Sequence, residues 1–345
     1  MQTIINKVTG NDANNISGFD QEDVPELKGR TVVVTGGTVG IGFEVAKALA
    51  LAGARVRLLS RRSENAEEAI AKIKSDADPH GPIVDVTFTP CDLGSLENVK
   101  QVGDRIREQE ERLDLLILDA GVGVNKYDVS ADGIDRHFAV NHLGHYYLTN
   151  RVLPLLRRTA ELPGAPAPRI VVVSSELHRA LATTVKFASL DEINTDLGAN
   201  GLYARSKLAN ILFVKYGLVE RVLRPTGSRI VAIATHPGAV HTTQQDQFKD
   251  TFGTVVGTMM KHLTIPFMRN PEQGSLSTLW AATSEEVDED PAKWNGHYIT
   301  DPGQLSEESR AAQSSELGKN LWGISELLVR KKLGSDALLP WDERM

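Results

Sequence analysis

Apolar and polar positions alternate along this chain in blocks. Thr31-Val32-Val33-Val34-Thr35 is a short β-branched run of the kind that fills a strand buried on both faces. Helical spacing follows over Phe43 to Leu51, with Gly53 placed to cap the C-terminus. The pattern then repeats. Strands are expected at Arg55–Leu59, Ile83–Phe88, Leu113–Leu118, Ile170–Val173 and Ile230–Ala234. Helices are expected between them at Glu64–Lys74, Leu96–Arg107, Phe138–Leu156 and Leu202–Val222. Strands alternating with helices at this spacing predict an α/β fold. The expectation is a single-domain, Rossmann-type, doubly wound parallel sheet with helices on both faces. Residues 1–28 are polar and rich in Asn and Asp, and read as an extension ahead of a domain spanning 29–345.

Composition narrows the classes. With 38 basic and 45 acidic residues the net charge is -7, which invites neither nucleic acid nor an anionic membrane. Cys91 is the chain's one cysteine, so an internal disulfide is excluded and a reducing compartment, by default the cytoplasm, is expected. No apolar run approaches the roughly 20 residues that span a bilayer, and the first residues lack a secretory signal's apolar core. Neither a His-Glu-x-x-His zinc site nor a Gly-x-Ser-x-Gly nucleophile elbow occurs. His142 and His145 read as helix-surface or pocket residues, and no metal is expected.

Candidate chemistry begins at the turn after the first strand, Thr35-Gly36-Gly37-Thr38-Val39-Gly40-Ile41-Gly42. In such sheets ligands bind beyond the carboxyl ends of the strands. Small residues there let backbone N–H groups approach a pyrophosphate at the following helix. Downstream, Tyr203 and Lys207 stand four apart in a predicted helix and so share a face. A phenol titrates near 10, and a neighbouring ammonium makes it a usable acid or base. The serine pair Ser174-Ser175 ends a buried strand, where an oxygen donor at the active edge belongs. At the end of the second strand, Ser60-Arg61-Arg62 offers guanidinium where an acid would bind a 2′-hydroxyl. This predicts NADP(H) over NAD(H), chiefly through Arg61.

The Thr-Gly-x-x-x-Gly-x-Gly spacing, the serine pair, the Tyr-x-x-x-Lys and His236-Pro237-Gly238 together resemble the short-chain dehydrogenase/reductase family. Ser206-Lys207-Leu208-Ala209-Asn210, Asn270-Pro271-Glu272-Gln273-Gly274 and Leu321-Trp322 look like its retinol dehydrogenase and WW-domain-containing oxidoreductase branch, over about residues 29–330. The resemblance implies that Ser175 orients the substrate oxygen, with Ser174 as the alternative. It makes Tyr203 the acid/base, while Lys207 binds the nicotinamide ribose and Asn141 holds a relay water. It also implies that Asp92 and Leu93 meet the adenine (Asp92 otherwise capping a helix, a role Ser95 suits better). Ala120, Gly121, Pro237, Gly238, Val240 and Thr242 would complete the cofactor site. Asp119 departs from the family's asparagine, placing an acceptor-only carboxylate beside the cofactor.

The expected reaction interconverts a carbonyl and an alcohol on a bulky hydrophobic small molecule. The rivals are double-bond reduction, dehydration or epimerisation on the same scaffold, or a non-catalytic dinucleotide sensor. Apolar residues between Phe248 and Met268, in a lid of about 244–270, are expected to wall the substrate site. Leu177, Leu181, Val185 and Phe187 are expected opposite. Contact of the lid with a membrane, and a homodimer, remain open at this point.

Overall fold

In the computed structural model, residues 18–181, 185–240 and 269–342 are described. Eight strands form one sheet in the order β3-β2-β1-β4-β5-β6-β7-β8, the first seven parallel and the last antiparallel. They are β1 (Thr31–Thr35), β2 (Arg55–Ser60), β3 (Asp85–Pro90), β4 (Leu115–Leu118), β5 (Arg169–Val173), β6 (Val231–Thr235), β7 (Tyr298–Asp301) and β8 (Gln304–Leu305). β1, β4, β5 and β6 are buried at every position, which is why their sequences read as unbroken apolar runs rather than alternations. Ile83, expected to begin the third strand, is 91% exposed and lies outside it.

Helices cover both faces. On one, α1 (Gly40–Leu51) and α2 (Glu64–Ser75) pack with α6 (Pro271–Thr283), bringing Val45, Ile73 and Leu279 into one core. On the other lie α3 (Leu96–Gln109), α4 (Gly144–Ala160), α5 (Gly198–Leu212) and α7 (Ser315–Leu333), represented by Val99, Leu148, Leu208 and Leu321. Leu321 and Trp322 belong to this second core, with Trp322 edge-on to Tyr146 at 5.2 Å.

Three features depart from the sequence pattern. The helix expected over Phe138–Leu156 is broken at its start: a short turn Arg136–Phe138 runs into a widened π turn, Ala139–Leu143, before α4. α5 likewise continues as a π-type stretch, Phe213–Leu223. The polar extension is not separate throughout. Phe19 and Val24 pack on the core, Leu27 is fully buried, and its N–H donates to the Ala52 carbonyl at 2.7 Å.

Chain order reverses between β1 and β4, whose ends pair at Thr35 and Leu118. A crevice opens beyond the carboxyl ends of the strands at such a switch point.

Candidate active site

The crevice is a cleft of about 1300 Å³, running from Arg61 past the β1–α1 turn to Tyr203. Gly36 and Gly40 have φ of 72° and 61°, the left-handed region that favours glycine. A Cβ on Gly36 would stand 2.9 Å from the Ala120 Cα, so the turn is pressed directly against the β4 end. Gly42 lies beneath rather than in the cleft: a Cβ there would meet the Gly36 carbonyl at 2.5 Å and Asp119 Oδ2 at 2.7 Å. Thr38, Val39, Gly40 and Ile41 line the cleft, and α1 begins at Gly40 with its first N–H groups unpaired within the helix. This is a cradle into which a pyrophosphate fits.

One end of the cleft is basic. Arg61 and Arg62 are exposed at its wall beside Asn65, just past β2. Ser60 is engaged, taking hydrogen bonds from the Thr38 hydroxyl at 3.1 Å and the Arg62 amide at 3.3 Å. Asp92 and Leu93 line the adjoining wall. Asp92 Oδ1 accepts the Gly94 amide at 2.9 Å, while Ser95 caps α3 by accepting the Asn98 amide, as expected of Ser95 rather than Asp92.

At the other end Ser175, Tyr203 and Lys207 converge. Ser174 Oγ donates to the Lys207 carbonyl at 2.7 Å and is committed to holding α5 on β5. Ser175 Oγ accepts the Leu177 amide at 3.2 Å, hydrogen-bonds Tyr203, and faces the cleft. Lys207 Nζ donates to the Val173 carbonyl at 2.9 Å and stands 5.6 Å from the centre of the Tyr203 ring. Burial holds Lys207 down at about 8, with Asp119 pulling it back up. Burial pushes the Tyr203 phenol up to about 12, opposed by its bond to Ser175. Asn141 sits behind the cleft, in the widened turn. Its Oδ1 accepts the Val122 amide at 2.7 Å, and its Nδ2 donates to Ser206 Oγ at 2.9 Å. Pro237, Gly238 and Val240 line the cleft, as do Ala120 and Gly121.

Thr242 and the apolar run Phe248–Met268 lie outside the described residues. Of the four residues expected opposite that run, only Leu177 lines the cleft. Phe187 is buried against Phe138 with ring centres 6.2 Å apart, and Leu181 and Val185 pack on the same core. His142 and His145 are neither surface nor pocket residues. His142, in the widened turn, and His145, in the almost wholly buried α4, are both enclosed by the helices and the C-terminal segment that cover them. Several lining residues carried no sequence signal: Val122 and Val124 after β4, and Glu176 with Arg179, which pair at 2.6 Å.

Residues 30–252 match the sequence profile of the short chain dehydrogenases. The chain belongs to this family. A Neurospora crassa protein named as the mitochondrial oxidoreductase bli-4 is 35% identical over 328 residues, 94% of this chain and 77% of that one. Human retinol dehydrogenase 14 is 32% identical over 316 residues, 88% of this chain and 87% of the relative. A crystal structure of a Mycobacterium paratuberculosis protein superposes with a TM-score of 0.66 at 26% identity, covering 90% and 97% of the two chains. The retinol dehydrogenase and WW-domain-containing oxidoreductase branch expected from the sequence is thus borne out. This short-chain dehydrogenase is an oxidoreductase of a family that binds nicotinamide dinucleotides. Among the described residues, no helix is long and apolar enough to cross a membrane, and no group of three or more His, Cys, Asp or Glu could hold a metal ion.

Asp119 is the departure within this family site. It lines the cleft at the end of β4, with its carboxyl near Gly42 and Lys207. Burial raises its titration from 3.8 to about 6, against the pull of Lys207 and the Gly42 amide. The folded value lies above the ordinary one, so the cost of ionising the group within the fold is absent below 3.8 and complete above 6. A rise of that size would be worth about 3 kcal/mol in a dry interior, reduced to about 1 kcal/mol by water in the open cleft. Asp119→Asn is therefore expected to raise Tm by about 2 °C at pH 7 and to lose that advantage at pH 4. Thermal melts at the two pH values check this. A lower Tm for the variant at pH 7 would mean that the carboxylate has acquired a stabilising partner of its own.

Proposed function

We propose that this chain is an NADP(H)-dependent reductase or dehydrogenase that interconverts a carbonyl and an alcohol, with Tyr203 as acid/base. The observation that carries the reading is the meeting of Ser175, Tyr203 and Lys207 in the cleft that holds the glycine turn. Gly36, Thr38, Val39, Gly40 and Ile41 would take the pyrophosphate, Arg61 the 2′-phosphate, and Lys207 the nicotinamide ribose. When bound, the cofactor supplies a hydride to the carbonyl carbon or accepts one from the alcohol.

In the reducing direction the Ser175 hydroxyl holds the substrate oxygen and the Tyr203 phenol gives it a proton, while the Lys207 ammonium stabilises the phenolate left behind. The reverse direction returns the proton to Tyr203. Asn141 braces the post-β4 loop through Val122 and the catalytic helix through Ser206. A reducing compartment suits the lone, buried Cys91.

The substrate is proposed to be hydrophobic and larger than acetoin-sized compounds, such as a terpenoid, steroid, polyketide or retinoid. Val122, Val124, Leu177 and Ala180 supply apolar wall, and the charges of Glu176 and Arg179 are spent on each other at 2.6 Å. Purified protein with NADPH should reduce decanal, all-trans-retinal or a steroid ketone with a kcat/KM at least about tenfold above that for acetoin. Activity confined to small polar sugars or hydroxy acids would overturn the assignment.

A further inference from the structure

The widened turn Ala139–Leu143 closes through the Gly144 amide onto the Ala139 carbonyl, and Asn141 lies inside it. Nδ1 of His145, four residues on, is 3.0 Å from the main-chain carbonyl of Asn141. A carbonyl only accepts, so Nδ1 carries the hydrogen. That settles the other nitrogen: in a neutral ring Nε2 is a lone pair, and its neighbour at 2.9 Å, Thr35 Oγ1, donates to it in preference to the Ile117 carbonyl 3.4 Å away. The ring is neutral because burial drives its titration down to about 3, against the pull of the Asn141 carbonyl. Thr35 Oγ1 in turn accepts the Ala120 amide at 3.1 Å. Three directed hydrogen bonds therefore tie Asn141 to the last residue of β1 and to the loop after β4.

The path continues the other way. Asn141 Nδ2 donates to Ser206 Oγ at 2.9 Å, and Ser206 Oγ donates to the Tyr203 carbonyl at 2.7 Å. The two strand ends that floor the cleft are thus joined to the backbone of the catalytic tyrosine through the side chains of Thr35, His145 and Ser206 and through Asn141, which contributes both its main-chain carbonyl and its side-chain amide.

We propose that His145 is a positioning residue of the reaction centre, holding Asn141, and through it Ser206 and Tyr203, in register with the ends of β1 and β4. The proposal rests on the reading of Tyr203 as acid/base. It assigns a buried histidine, otherwise one more core side chain, a role in placing the phenol. Misplacing a reacting group by about 1 Å can cost about a hundredfold in rate.

Two measurements test it. In protein labelled with ¹⁵N-histidine, the His145 ring should show the Nδ1–H neutral tautomer unchanged from pH 5 to 8. An Nε2–H tautomer, or protonation in that range, would overturn the proposal. In kinetics with NADPH and all-trans-retinal or decanal, His145→Leu should lower kcat about tenfold to hundredfold. KM and the NADPH Kd from fluorescence should stay within about threefold, because the ring touches neither ligand. His145→Gln, whose side-chain amide can both donate and accept, should recover most of the loss. A folded His145→Leu with wild-type kcat would refute the role. If that variant does not fold, Thr35→Val, which removes the hydroxyl that donates to His145 and accepts the Ala120 amide, should reproduce the kcat loss, and wild-type turnover there would be equally fatal. Tyr203→Phe is run alongside: if it retains turnover the parent reading fails, whereas an inactive Tyr203→Phe beside a fully active His145→Leu defeats this inference alone.

Discussion

Replacing Tyr203 by Phe is expected to lower turnover by about two to four decades, the usual worth of a positioned acid, with the fold and NADPH affinity nearly unchanged. The phenyl ring keeps the half-buried volume at the head of α5, so what is lost is the hydroxyl and its bond to Ser175. Without cofactor, burial holds that phenol at about 12, too high to exchange protons well at neutral pH. On the proposed reading, the ammonium of Lys207, fixed by the Val173 carbonyl at 2.9 Å, is the group that stabilises the phenolate during reaction. The two residues should therefore fail differently. Lys207→Met removes the electrostatic support and a ribose contact together, so kcat falls and the NADPH Kd rises. Steady-state kinetics with fluorescence titration separates these outcomes. Unchanged turnover in Tyr203→Phe would remove the acid/base assignment altogether.

Arg61→Ala is expected to weaken NADPH binding by about ten- to a hundredfold while changing the NADH Kd by less than about threefold. A charge-assisted contact to phosphate is worth about 1.5–3 kcal/mol, and only NADPH offers a phosphate at the adenosine ribose. The position supports this reading: Arg61 stands on the cleft wall where β2 ends, and the neighbouring Ser60 hydroxyl is already held by Thr38 and the Arg62 amide. The effect should shrink as salt rises, since the exposed guanidinium is screened. Equal wild-type affinity for NADPH and NADH would refute the preference.

Much of the fold was written in the chain. Strands such as Val32–Val34 and Ile170–Val173 are buried on both faces, and burial of that kind demands β-branched runs that cannot be confused with loops. β7 was illegible because it is four residues long and only its first half is fully buried, which leaves a pattern no different from a loop. The break before α4 was hidden for another reason. A single widened turn leaves the chain helical on either side, and this stretch is buried nearly all round, so no shift of apolar phase shows and Phe138–Leu156 reads as one helix although Asn141 lies in a widened turn. That Tyr203 and Lys207 share a helix face, and that the glycine turn follows β1, was legible because each depends on spacing along a short stretch of chain. His145 was not. Its partners, Asn141 and Thr35, are joined only by the packing of α4 against β1, and an imidazole in a helix looks the same whether it faces solvent or a buried carbonyl. Phe187 misled in the opposite sense. An apolar residue in the stretch between Ser175 and Tyr203 suggests a pocket wall, yet it turns inward at a φ of 54° to fill the core against Phe138.

The central claim is that the cleft passes a hydride between a nicotinamide and a carbonyl carbon while Tyr203 handles the proton. Incubating the protein with NADPH deuterated at C4 and a carbonyl substrate such as decanal, then locating the label by mass spectrometry, tests it most directly. The account predicts one deuterium on the carbinol carbon of the alcohol, transferred from a single face of the nicotinamide, and its loss in Tyr203→Phe. Label that never reaches the product carbon, or that appears there undiminished in Tyr203→Phe, would contradict it.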